Sequence, residues 1–151
     1  MNRLAFALVA ALGLSSVALA GPQVAFNGEF SQVSVTGGGP CAEVFAVRDY
    51  RASHFLVGPT NRTSVIHFRT LDSARSSDDN AFFDGMSFIG LYGYSGDVYV
   101  DKEVETRDAN WDLHLEGIVD YSLIFVEITA RATLADGSTC TARAEFSGFN
   151  N

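Results

Sequence analysis

Three histidines, an acidic run and two cysteines hold most of the reactive chemistry in this chain. His54, His67 and His114 fall on three segments that read as strands, and three strands can gather imidazoles around zinc or copper. No pair shows the HxH or HxxxH spacing that would demand this, so the simpler expectation is three unrelated polar-face histidines. His114 stands between Asp112 and Glu116 on one strand face, where carboxylates favour the protonated ring.

The acidic run is Ser76-Ser77-Asp78-Asp79-Asn80, followed by Asp84. Hard cations want several oxygens on one point, so Asp78, Asp79 and Asp84 are the candidates for calcium; no cofactor is otherwise expected. The spacing is not that of an EF-hand loop, and a solvated loop is the simpler alternative. Tyr92, Tyr94 and Tyr99 bracket a glycine-containing turn, with Phe82 and Phe83 close in sequence. Aromatic faces on a loop can stack on sugar rings or on a partner's side chains, although most strand aromatics are simply core. The candidate binding loop is therefore Asp78, Asp79, Asn80, Phe82, Phe83, Asp84, Tyr92 and Tyr94, within 78–97. Loops carried on a rigid sheet are where binding residues gather.

Nothing marks a catalytic nucleophile. Gly93-Tyr94-Ser95-Gly96 falls one residue short of GxSxG, and the elbow also needs a strand-to-helix turn that the pattern does not offer. Paired carboxylates for glycoside hydrolysis could be drawn from many acids, but no pair stands out. Asn61-Arg62-Thr63 is an N-glycosylation sequon, relevant only in a eukaryotic secretory pathway.

Cys41 and Cys140 are the only cysteines. Residues 1–20 open with Met1-Asn2-Arg3, continue as an apolar run and end at Ala18-Leu19-Ala20 before Gly21, the pattern of a secretory signal peptide cleaved near Ala20. In the oxidising compartment this implies, two cysteines form one bridge. The expected location is secreted or periplasmic. No later apolar stretch reaches the ~18 residues that span a bilayer. The full chain of 151 residues carries 18 acidic against 10 basic side chains, a net charge of −8. Such an acidic chain repels phosphate backbones, so nucleic acid is excluded as a natural partner and cations or basic groups are favoured. Residues 21–151 suit a single domain with its own core.

Apolar and polar residues alternate with period two through most of that domain. Trp111, Leu113 and Leu115 are expected inside, with Asp112, His114 and Glu116 outside; Ile66 and Phe68 likewise oppose His67 and Arg69. Turn signals separate predicted strands at 23–35 (broken near Asn27-Gly28), 43–48, 53–57, 63–70, 86–93, 98–106, 111–116, 121–134 and 138–147. One short helical turn could lie within 73–83.

The last two strands allow a parity argument. Ile124, Val126, Ile128, Ala130, Ala132 and Leu134 share one face, and Cys140, Ala142, Ala144 and Phe146 another. Both sets are even-numbered, so both point inward only if facing residues sum to an even number. A three-residue loop, Ala135-Asp136-Gly137 with a left-handed Gly137, gives that sum and sets Cys140 opposite Ala132. Cys140 then points inward, and Cys41 should lie on an early strand. The predicted fold is an all-β, single-domain antiparallel β-sandwich of immunoglobulin-like type, with a closed β-barrel as the second choice. The expected function is a non-catalytic binding or structural module for an unknown protein, glycan or small molecule. The alternatives are a lipocalin-like barrel carrying an apolar ligand and a secreted metal-dependent or hydrolytic enzyme.

Overall fold

The computed structural model describes residues 23–57, 63–71, 81–90 and 95–150. Eight strands form one antiparallel sheet: β1 (Val24–Thr36), β2 (Asp49–Val57), β3 (Thr63–Thr70), β4 (Ser87–Gly90), β5 (Gly96–Glu105), β6 (Ala109–Val119), β7 (Leu123–Leu134) and β8 (Thr139–Asn150). Their order is β4-β3-β2-β1-β8-β7-β6-β5. Two up-and-down meanders, β1–β4 and β5–β8, are thus joined by the β1–β8 ladder. Short-range contact between β4 and β5 brings the two ends of the sheet together, nearly closing a barrel, with a seam that no ladder crosses among the described residues.

This corrects the expected sandwich. β1 pairs with β2 over Val24 to Glu29 and with β8 over Phe26 to Thr36, so no break separates two layers. Alternation cannot distinguish the two architectures, because a sandwich and a small barrel both bury every second residue. The sheet can coil tightly at this junction because Gly28 and Gly148 face each other across it. A Cβ on Gly28 would lie 2.1 Å from the carbonyl oxygen of Ser147, so only glycine fits the bend.

The terminal hairpin follows the parity argument. Ala132 pairs with Cys140, and the amide of Leu134 donates to Ser138 O across a loop in which Gly137 has φ 82°. The Asp136 carboxylate accepts from the Ser138 hydroxyl and amide, which holds its pKa below the usual range. Ile124, Val126, Ile128, Ala130, Ala132, Ala142, Ala144 and Phe146 are all buried.

Departures are concentrated in the first meander. β1 continues through Asn27-Gly28, and its irregularity falls instead between Ser31 and Ser34, where Gln32 has φ 50°. That bulge exchanges the two faces, so the inward side passes from Phe26 and Phe30 to Val33, which packs partly buried against the core, while Val35, opposite Ala142, is 40% exposed. The strand expected at 43–48 is absent. Three glycines with positive φ, Gly37, Gly38 and Gly39, lead through Pro40 into a 3-10 turn, Gly39–Glu43. The apolar residues that suggested a strand, Val44, Phe45 and Val47, are buried as a plug across one end of the barrel. Cys41 belongs to this turn rather than to a strand. It is bonded to Cys140 with the Cα atoms 5.9 Å apart. β2 begins at Asp49, four residues before its expected start, and β4 covers Ser87–Gly90 among the described residues.

The plug and the first meander build an aromatic core. Phe30 packs against Phe45, Tyr50, Phe68, Phe83 and Phe146, with ring centroids 5.0–5.9 Å apart. Burial pushes the Tyr50 hydroxyl up to about 12.

Candidate functional site

The plugged end of the barrel carries a groove of about 320 Å³. Three stretches of chain meet there: Pro40, Glu43 and Val44 from the plug, Phe82 from the turn before β4, and Thr106, Asp108, Ala109 and Trp111 from the β5–β6 turn and the start of β6. Each stretch is fixed by a different device. The disulfide holds the plug to β8. The Asp84 carboxylate accepts from the amide of Thr70, and the amide of Gly85 donates to Phe68 O, so the 81–86 turn is tied to β3. Thr106 locks the β5–β6 turn: its hydroxyl donates to Ala109 O at 2.9 Å and accepts from Trp111 Nε1 at 3.2 Å and from the Ala109 amide at 3.3 Å. Phe82 leans on Trp111 with ring centroids 4.7 Å apart.

These placements revise the expected binding loop. Phe83 is a core ring, fully buried, and Phe82 is half-buried against Trp111. Asp84 is used in a turn. Asp78, Asp79, Asn80, Tyr92 and Tyr94 lie outside the described residues, as do residues 1–20, the expected leader, and the Asn61 and Arg62 of the sequon. Trp111, read from the sequence as core, is 4% exposed and also walls the groove. No motif in the sequence points to Glu43 or Asp108. Asp108-Ala109-Asn110 was recognisable as a turn, but nothing local shows that it meets Glu43.

The three histidines do not converge. His54 faces the interior of β2, on the same side as Ala52 and Leu56, and is fully buried; this overturns its expected polar-face position. Burial lowers its pKa. His67 lies on the outer face of β3. Its Nε2 accepts from Arg69 Nε at 3.2 Å, so its Nδ1 carries the proton donated to Ser87 Oγ at 2.8 Å, which ties β3 to β4. Desolvation first, and the Arg69 charge second, lower its pKa. His114 lies on the outer face of β6, in the other meander. Among the described residues no group of three or more His, Cys, Asp or Glu could hold a metal ion.

His114 instead forms an ionic cluster. Its Nδ1 is 2.7 Å from Asp101 Oδ1 on β5, its Nε2 is 3.4 Å from Glu116 Oε2, and Tyr99 meets it edge-on at 4.6 Å. The hydrogen bond to Asp101 is the main reason its pKa is raised, with Glu116 adding to it. The principal carboxylate thus comes from the neighbouring strand and not from Asp112. A hollow of similar volume, about 320 Å³, beside this cluster also holds Lys102 and Arg131 among its acids. Further along the same outer face, Ile118 and Phe125 are cross-strand partners and remain 47% and 44% exposed.

Comparison with protein-family models, with curated proteins and with solved structures finds no match to this chain.

Proposed function

We propose that this protein is an exported, non-catalytic binding module of the cell envelope or extracellular space, which takes its ligand in the groove at the plugged end of the barrel. The convergence of three separately anchored chain segments on one aromatic-walled groove carries this reading. A scaffold whose loops are pinned by a disulfide, a ladder and a turn-locking threonine meets a ligand with little left to order. The disulfide suits an oxidising compartment, in keeping with the leader at residues 1–20. The acidic surface argues for partners other than nucleic acid.

The near-closed eight-stranded meander also suits a lipocalin-like carrier of small apolar ligands. The ring-to-ring packing around Phe30 occupies the space such a ligand would need, which favours the end groove. Trp111 is the single tryptophan and reports on the groove directly. Titrating the purified protein with a panel of neutral sugars, aliphatic alcohols and organic cations should shift Trp111 emission for at least one class. The response should disappear in Phe82→Ala. Silence across the whole panel would remove the groove as the binding site.

A further inference from the structure

We propose that the groove selects a small organic cation: an ammonium or guanidinium group carried on a short apolar stem. This rests on the binding-module reading above and names its ligand class. Among the described residues, the charged side chains lining the groove are both acidic and both exposed, Glu43 from the plug and Asp108 from the β5–β6 turn, and neither has an ion-pair partner there. The hollow on the outer face, equal in volume, differs in charge, since His114, Lys102 and Arg131 accompany its carboxylates.

The hydrogen-bonding inventory sharpens the choice between a cation and a sugar. The Thr106 hydroxyl already donates once and accepts twice, and the indole N–H of Trp111 is spent on it. Among the described residues, the groove's side chains therefore offer carboxylate acceptors and no uncommitted donor. A sugar presents hydroxyls that need both; a guanidinium or ammonium presents donors only. The remaining wall, Pro40, Val44, Phe82, Ala109 and Trp111, is apolar and accepts an aliphatic stem, with Phe82 and Trp111 adding attraction for a nearby positive charge. A volume of about 320 Å³ lies at the small end of ligand sites, which suits a free small cation better than a folded partner. The net charge of −8 raises the local concentration of such ligands.

The test compares butylguanidinium with its neutral isostere butylurea, read by Trp111 emission and by calorimetry on the purified, disulfide-intact protein. Butylguanidinium should bind at least about tenfold tighter than butylurea, a margin that corresponds to about 1.4 kcal/mol. The preference should shrink in high salt and vanish in the Glu43→Gln/Asp108→Asn double variant, with each single variant showing a partial loss. Equal binding of the two probes, or a preference that survives the double variant, overturns the cation assignment while leaving a ligand groove in place. Binding of an arginine-containing pentapeptide but not of butylguanidinium also overturns it and points to a polypeptide partner. If no probe of any class perturbs Trp111, the binding-module reading falls with it.

Discussion

The two meanders fill one barrel in opposite ways. β1–β4 and the plug contribute large rings, Phe26, Phe30, Phe45, Tyr50, Phe68, Phe83 and Phe88. The inward positions of β5–β8 are mostly aliphatic or small, among them Val98, Val100, Leu113, Val126, Ile128 and four alanines, Ala130, Ala132, Ala142 and Ala144. Small side chains on one wall leave room for rings from the other. The difference teaches that this interior is keyed across the barrel and that each half depends on the other for its density. The backbone follows the same division. β5–β8 pair in unbroken register, whereas the first meander has a bulge at Gln32 and a 3-10 plug.

The covalent tie between the halves should have the largest effect. The Cys41–Cys140 bond closes 99 residues of separation, for which the chain-entropy account gives about 4–5 kcal/mol, with measured values often lower. Urea unfolding of Cys41→Ala/Cys140→Ala should show a loss of this order together with a weaker groove, since the plug carries Glu43. A stable variant with unchanged Trp111 emission would mean that the plug seats itself without the bond. Next, Phe30→Ala removes the ring on which five others converge and should cost about 3–5 kcal/mol, against about 0.5–1.5 for Ile128→Val on the opposite wall. Similar losses at both sites would erase the contrast between the two walls. Enlarging the small wall is the reciprocal test. Ala142→Leu should be destabilising by about 1–3 kcal/mol through overpacking, and a neutral result would reveal unfilled space beside the rings.

The smallest expected effect is in pH dependence, where the two halves carry opposite signs. His114 has a raised folded pKa, so its stabilisation is fully present below the unfolded value of about 6.5 and is lost as pH rises through the folded value. His54 has a lowered folded pKa. Its neutral form suits the fold, so that stability is present above about 6.5 and is lost as pH falls towards the lowered value. His114→Gln should therefore weaken the protein most at mildly acid pH, and His54→Gln should flatten the acid limb of the stability profile. Thermal melts from pH 5 to 8 on both variants would show whether the signs differ; like signs would contradict the inside-outside assignment.

The same division decided what could be read in advance. In β7 and β8 one local rule, the parity of a three-residue turn, propagates without interruption, so the pairing of Ala132 with Cys140 follows from spacing alone. In β1 a single residue, Gln32, reverses the faces, and no residue type there announces it. Val44, Phe45 and Val47 have strand composition but are drawn into the barrel end, where burial outweighs local preference. Phe82 was within reach because aromatic residues in a turn are conspicuous. Its neighbours Glu43 and Asp108 were not, since their meeting depends on closure of the barrel.

That closure leaves an unusual opportunity for rewiring. Phe26 pairs with Asn150, so the first and last strands run side by side, while among the described residues no ladder joins β4 to β5. Linking residue 150 to residue 23 and opening the chain between β4 and β5 would make order along the polypeptide identical to order across the sheet. The longest-range ladder would become an ordinary hairpin, and a chain rearranged in this way should refold faster than its parent.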